Sequence, residues 1–359
     1  MIREPRMGRR AFIIGGTGQI GRATARCLLE HGWEVTLAHR GHRRPESELG
    51  DLGAKFVVLD REVPGDLDRA LAQGADAVID TVAFTAAHGG QLLQVQGNVG
   101  AFVVISSASV YRDATSRTLD ESRATGFPEL PAPIPETHPT VDPGPATYST
   151  QKVALERQLL DHAEVPVTVL RPGAIHGPGS VHPREWWFIK RMLDGRTAIP
   201  LAYKGHSRFH TSSVLNIAAL VRTVLENPGT RILHAADPEA LTVAEIGKAI
   251  SSHLSYAGAL VPIATDGYPA PVGATPWSVP RPFVLDTQAA LSLGYKPAVT
   301  YEGTVSATCD WIIQEAAGRD WRDVFPVLAS YPRDLFDYAA EDALMASEPF
   351  RILKGQNFA

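Results

Sequence analysis

The chain has 359 residues, 44% of them hydrophobic and 20% charged, a balance that suits a globular enzyme of one large α/β unit plus a smaller lobe. Its net charge of −5 gives no global reason to expect nucleic-acid binding, and its two cysteines are too few for a disulfide framework. No apolar run is long enough to span a bilayer, and Arg3, Arg6, Arg9 and Arg10 lead straight into an apolar strand without the apolar stretch of a signal peptide, so the expected location is the cytoplasm.

Phe12 to Ile14 read as a buried strand that enters the turn Gly15-Gly16-Thr17-Gly18-Gln19-Ile20-Gly21 and leaves it as a helix from Arg22 to His31, closed by Gly32. A second strand follows at Trp33 to Ala38. Gly15 allows the tight turn, Gly18 lets the backbone approach a pyrophosphate, and Gly21 lets the helix lie close against the strand. The first-turn N–H groups of such a helix lack internal acceptors and carry the positive end of its dipole, which suits a phosphate. Gly15, Thr17, Gly18, Gln19, Ile20 and Gly21 are therefore the first cofactor candidates.

The end of the second strand bears on which dinucleotide. A ribose with free hydroxyls calls for a carboxylate there, whereas a 2′-phosphate calls for a cation. The chain places His39-Arg40-Gly41-His42-Arg43-Arg44 at this point, with no carboxylate before Glu46. NADP(H) is favoured over NAD(H), with Arg40 as the main phosphate contact, Arg43 or Arg44 in support and His39 beside it, because a guanidinium forks onto phosphate and stacks on adenine.

The spacing Gly15-x-x-Gly18-x-x-Gly21 after an apolar strand resembles the extended short-chain dehydrogenase/reductase family, which includes sugar-nucleotide epimerases and dehydratases. That resemblance implies a Rossmann-like, doubly wound parallel α/β sheet with a smaller C-terminal substrate-binding lobe. It assigns residues 9–178 to the dinucleotide domain, with 207–228 returning to it, and 179–206 and 229–359 to the substrate lobe and a C-terminal extension.

A third strand, Lys55 to Leu59, ends in Asp60-Arg61; Asp60 stands where the family's acidic residue meets the adenine amino group, and Arg61 beside it is a further cofactor candidate. A fourth, Asp76 to Val82, leads to Ala83 near the expected nicotinamide ribose, and Asp80 within it breaks the apolar pattern without an evident role. The fifth, Ala101 to Ile105, runs into Ser106-Ser107-Ala108-Ser109-Val110-Tyr111. In doubly wound sheets the ligand crevice lies at the carboxyl ends of the strands, and counting back from Val110-Tyr111 puts Ser107 in the family's catalytic hydroxyl position. Ala108-Ser109 replaces the Asp-Glu pair of the family's dehydratases, which disfavours nucleotide-sugar dehydration.

From Asp120 to Thr147 the chain is proline-rich, and its place between two motifs suggests a flap over the site. Tyr148-Ser149-Thr150-Gln151-Lys152 then opens an amphipathic helix, in which residues four apart share a face. A free phenol titrates near pH ~10, and a neighbouring ammonium lowers that, so Tyr148 and Lys152 suit proton transfer at neutrality. With Ser107 they complete the family's catalytic triad.

A sixth strand, Val167 to Leu170, enters Arg171-Pro172-Gly173-Ala174-Ile175-His176-Gly177-Pro178, similar to the family segment that closes over the nicotinamide, with His176 in place of a tyrosine. Pro172 and Ala174 are implied cofactor contacts. Ser109, His176, Trp186 and Arg208 are substrate candidates, and Asn216 stands where an Asp is common. No histidine spacing matches a metal site, so no metal is expected. The resemblance runs from about Arg10 to Trp311, and the aromatic residues beyond, including Trp321, Phe325, Tyr331, Phe336 and Tyr338, suggest a packed extension.

The resulting expectation is NADPH-dependent reduction of a carbonyl on a small, natural-product or sugar-derived molecule, with Tyr148 as the acid. The alternatives are a sugar-nucleotide epimerase that retains its cofactor and a non-catalytic dinucleotide-binding or RNA-associated regulator. Partners are otherwise limited to a second copy, since relatives pair as homodimers through the Tyr-x-x-x-Lys helix; neither nucleic acid nor membrane is expected.

Overall fold

The structure is a computed structural model that describes residues 8–41, 47–265 and 267–347. Arg43, one of the cofactor candidates, lies outside the described residues, as does Arg44. The chain divides into two compact units. The first holds the chain up to Ile175, His210–Pro238 and Leu285–Thr300; the second holds His176–Phe209, Glu239–Val284 and the chain from Tyr301.

Among the described residues eleven strands follow in chain order: β1 (Arg10–Ile14), β2 (Glu34–His39), β3 (Lys55–Val58), β4 (Ala77–Asp80), β5 (Phe102–Ile105), β6 (Val167–Pro172), β7 (Ala174–His176), β8 (Ala198–Leu201), β9 (Thr211–Ser213), β10 (Arg231–Ala235) and β11 (Ala259–Pro262). Seven of them form the sheet of the first unit in the order β10-β6-β5-β4-β1-β2-β3. Every pairing in it is parallel, with Ile14 opposite both Ala38 and Asp80. This is the doubly wound Rossmann arrangement, and the chain reverses its direction of travel between β1 and β4, where such sheets open a ligand crevice.

The apolar strands are continuous because both sheet faces are covered. Along β1, Ala11 and Ile13 join one core with Leu28 and with Ile217 and Leu220 of the Val214–Glu226 helix, while Phe12 and Ile14 join the other with Leu92, Leu155 and Leu159. The alternation is the two-residue period of a strand, expressed twice.

The boundary differs from the sequence expectation at residues 229–238, which belong to the first unit. Arg231–Ala235 adds to the sheet as β10, with Leu233 opposite Leu170. Residues 285–300 join the same unit, and Asn216 shows how: its Oδ1 accepts from Ala298 N at 2.8 Å and Val299 N at 3.1 Å, and its Nδ2 donates to Asp237 Oδ1 at 2.8 Å. An aspartate could not make the last bond, so the asparagine has a structural reason.

The proline-rich segment is packed along the first unit. Ile134 is fully buried, Asp286 N donates to its carbonyl at 2.8 Å, and Val141 N donates to Val110 O at 2.9 Å. Asp113 collects five donors from Thr115, Arg117 and Glu129.

In the second unit Arg191 and Arg196 hold the C-terminal chain. Arg191, on the Trp186–Leu193 helix, donates to Glu341 Oε1 at 2.6 Å and to the carbonyls of Trp187 and Leu335 at 2.8 and 2.6 Å, with its guanidinium 3.6 Å from the Trp187 ring centroid. Arg196 pairs with Asp342, and Tyr338 Oη donates to Asp194 at 2.5 Å. Among the described residues no helix is long and apolar enough to cross a membrane.

Candidate active site

The glycine turn has the geometry of a dinucleotide cradle. Gly15 has φ +82°, a left-handed conformation in which a side chain would also overlap Thr81 Oγ1 and Val82. A Cβ on Gly21 would overlap the Gly15 carbonyl, so this glycine sets the close approach of helix to turn. A Cβ on Gly18 would meet only the Gly15 carbonyl oxygen, at 3.2 Å, which leaves its outer side open. The Gln19–Glu30 helix starts here, with Gly18 as its N-cap residue in extended conformation and no side chain capping it. Gln19 Oε1 is buried without a hydrogen-bond partner among the described residues, and Ile20 packs into the core. A phosphate fits this donor-rich, uncapped end, and Thr17 stands half-buried within the turn.

At the end of β2, His39 packs its ring edge-on to Phe56 and accepts from Gly41 N at 3.1 Å, while Arg40 is exposed. Asp60 is half-buried after β3 and its Oδ1 accepts from Glu62 N. Arg61 turns inward: its guanidinium bonds Asp80 Oδ2 at 2.8 Å, Gln91 Oε1 at 2.8 Å and the His88 carbonyl at 3.2 Å.

Asp80, for which the sequence offered no role, is fully buried at the end of β4. Its second oxygen accepts from Val82 N at 3.0 Å and Ala83 N at 2.7 Å, so it caps the turn that carries Ala83. The Ala83 carbonyl in turn accepts from Lys152 Nζ at 2.7 Å, and the Ile105 carbonyl accepts from the same nitrogen at 3.0 Å.

Ser107, Tyr148 and Lys152 come together at the carboxyl end of β5 and the start of the Tyr148–His162 helix. Thr147 begins that helix with a capping box to Thr150, which fixes Tyr148 in the first turn. Lys152 Nζ is 5.8 Å from the Tyr148 ring centroid and 5.7 Å from that of Phe84, and the two rings lie 5.3 Å apart. Burial lowers the Lys152 pKa to about 8, against the opposing pull of the Asp80 and Glu156 carboxylates.

The Tyr148 phenol does not show the lowering expected from a neighbouring ammonium. Desolvation raises its pKa, the Ser107 hydroxyl draws it back, and the charge of Asp120 adds to the rise. Lys152 bonds carbonyls instead of the phenol. At neutral pH Tyr148 is thus a protonated acid.

Ser107 belongs to a chain of hydroxyls. Its Oγ lies 3.0 Å from Ser109 Oγ and accepts from Ser109 N at 3.1 Å; Ser109 Oγ in turn lies 2.9 Å from Ser149 Oγ. Ser149, within the Tyr-x-x-x-Lys motif, was not singled out from sequence, although its place directly after Tyr148 was the available signal. Behind the triad runs a buried polar network. Ser106 Oγ donates to Glu156 Oε1 at 2.5 Å, Arg171 forks onto Glu156 at 3.0 and 2.5 Å, and Arg171 Nη1 donates to Tyr111 Oη at 3.0 Å.

Pro172 ends β6, and Ala174 N donates to His210 O at 2.8 Å. The remaining substrate candidates lie in the second unit. His176 is buried with its ring 4.8 Å from that of Tyr301, whose hydroxyl donates to Glu185 Oε1 at 3.3 Å. Trp186 packs edge-on to Phe325, and Arg208 donates to the Ala240 carbonyl with Glu245 at 4.0 Å. Among the described residues no group of three or more His, Cys, Asp or Glu is arranged to hold a metal ion.

Residues 11–236 match the model of the NAD dependent epimerase/dehydratase family. The chloroplast stem-loop binding protein of 41 kDa b of Arabidopsis thaliana is 27% identical over 227 residues, which span 58% of this chain and 55% of that protein. A 3-diazoavenalumate denitrifying reductase of a Streptomyces species is 24% identical over 258 residues, 66% of this chain and 78% of that one. The fold is shared with the enzyme WbmH of Bordetella bronchiseptica, solved in complex with NAD+, at TM-score 0.64 and 20% identity over 86% of this chain and 99% of that one.

Proposed function

The chain belongs to the NAD-dependent epimerase/dehydratase family, and from that premise we propose that it is an NADPH-dependent oxidoreductase that reduces a carbonyl group of a small molecule. The observation that carries the reading is the convergence of Ser107, Tyr148 and Lys152 beside the Ala83 turn, with the phenol held above its ordinary pKa. A reduction ends with a proton delivered to the substrate oxygen, and a phenol that is protonated at neutrality is the form the step needs.

The glycine turn and the N-terminus of the Gln19–Glu30 helix would hold the pyrophosphate, Asp60 the adenine, and Arg40 with Arg43 the 2′-phosphate. Pro172 and Ala174 would border the nicotinamide. The bound nicotinamide supplies hydride to the substrate carbon. Ser107 donates a hydrogen bond to the substrate oxygen, Tyr148 delivers the proton to it, and Lys152 keeps its third N–H for the nicotinamide ribose while Ala83 and Ile105 take the other two.

The second unit, with His176, Trp186 and Arg208, serves as the substrate-binding lobe. The protein acts in the cytoplasm, and its Tyr148–His162 helix supplies a homodimer interface. The reductase relative supports a reaction with net reduction, and the absence of a carboxylate between His39 and Arg44 supports NADPH as the reductant.

The test is a panel of ketones and aldehydes incubated with NADPH and the purified protein, following loss of reduced nicotinamide. Turnover that falls by about 10²-fold or more in Tyr148→Phe, with dinucleotide affinity retained, supports the reading. Substrate epimerised on a retained cofactor, with no net NADPH consumed, refutes it.

A further inference from the structure

The turn from Asp80 to Phe84 touches both ends of the proposed dinucleotide site. At one end Thr81 N and Oγ1 donate to the Ile14 carbonyl at 3.1 and 3.0 Å, and Thr81 and Val82 press on Gly15, leaving no space for a side chain there. At the other end the Ala83 carbonyl receives Lys152 Nζ, and the Phe84 ring lies against Tyr148. One short turn therefore sets the spacing between the phosphate cradle and the proton-transfer residues.

Its shape is imposed by Asp80 and Arg61. Asp80 is wholly buried and uses one oxygen for the Val82 and Ala83 N–H groups and the other for Arg61, whose side chain is itself only 8% exposed. Arg61 is held from behind by Gln91, which accepts from its Nε and donates to its carbonyl at 2.9 Å. His88 closes the turn by accepting from Phe84 N at 2.9 Å. A buried pair of this kind is a weak source of stability, because desolvation offsets most of the attraction, so stability alone does not account for its place at this turn.

We propose that Asp80, braced by Arg61, is a positioning residue for the reactive end of the site: it fixes the Ala83 carbonyl under Lys152 Nζ and keeps a negative charge facing that ammonium. The inference rests on the reading that Lys152 serves a bound dinucleotide. The charged and titratable groups facing Lys152 are Asp80 from β4, Glu156 and Tyr148 from its own helix, and the arginines Arg61 and Arg171 that pair with the two carboxylates. Asp80 thus opposes the burial that otherwise drives the lysine towards its neutral form.

Two variants separate the capping from the charge. Asp80→Ala removes the acceptor for Val82 and Ala83, and its NADP+ affinity by calorimetric titration is expected to fall at least about tenfold in folded protein. Asp80→Asn keeps an acceptor oxygen but not the charge; it is expected to hold that affinity within about threefold, while Lys152 binds its proton at least about tenfold more weakly by NMR titration of its ε-carbon. A merely structural Asp80 would lower the unfolding temperature of both variants and leave affinity and lysine titration as in the parent protein, which overturns the proposal. Should Asp80→Ala fail to fold, the Lys152 titration in Asp80→Asn decides: weaker proton binding supports the proposal and an unchanged midpoint refutes it. A parent protein that binds neither dinucleotide would refute the functional reading alone, because the lysine titration still tests the positioning claim.

Discussion

Tyr111 Oη lies 2.5 Å from His234 Nε2, and the opposite ring nitrogen, Nδ1, lies 2.7 Å from the Asp286 carbonyl. With Arg171 donating to the phenol, this order of donors and acceptors requires a neutral imidazole protonated on Nδ1. Burial lowers the His234 pKa to about 4, and the Arg171 charge works in the same direction, while the Asp286 carbonyl opposes them. The Tyr111 phenol, buried beside it, is pushed up to about 12.

The consequence is a defined acid sensitivity. Between pH 6.5 and about 4 the unfolded chain binds a proton at His234 that the native state does not, so stability falls as pH falls through this window. The loss approaches about 3 kcal/mol below it. Urea unfolding as a function of pH should show a steeper acid slope for the parent protein than for His234→Gln, in which the titrating group is gone.

Lys152 follows the same direction with pH, in an alkaline window. Its native pKa of about 8 lies below the ordinary 10.5, so between these values the unfolded chain again holds the extra proton, and native stability rises with pH across the window. Relative to Lys152→Met, the parent protein should gain about 3 kcal/mol between the two limits. Parallel pH dependences for the two proteins would show that Lys152 titrates normally.

In the second unit, Glu341→Ala should destabilise more than a surface substitution. It strips the carboxylate from Arg191, which remains buried against Trp187, and breaking one side of such a pair costs about 3–5 kcal/mol. Denaturant midpoints for Glu341→Ala and for Arg191→Met with Glu341→Ala check this, since removing both partners should recover part of the loss.

The parts of the site that were legible in the sequence are those written in short spacings. The glycine turn, Ser107 before Val110-Tyr111, and Tyr148 four residues before Lys152 each sit within one strand end or one helical turn, and the structure brings Ser107, Tyr148 and Lys152 to one place. What escaped were pairs made by the tertiary fold. Asp80 looked anomalous because its partner Arg61 arrives from the loop after β3, and β10 was hard to see because His234 interrupts an apolar run whose reason is Tyr111, on a distant segment. The aromatic content of the C-terminal chain pointed to packing, but its anchor, Arg191, lies on another helix and carries no local signal. Arg61 shows the same limit: adjacency to Asp60 suggested the cofactor, whereas its guanidinium is engaged with Asp80 and Gln91.

The measurement that tests the central claim most directly is calorimetric titration of the cofactor-free protein with NADP+ and with NAD+, alongside Arg40→Ala. The account predicts that NADP+ binds at least about tenfold more tightly than NAD+ and that the variant loses this preference, since a guanidinium–phosphate contact is worth a charge-assisted hydrogen bond or more. Tighter binding of NAD+, or a cofactor that leaves only when the protein is denatured, would contradict net reduction by NADPH and favour epimerisation on a retained cofactor.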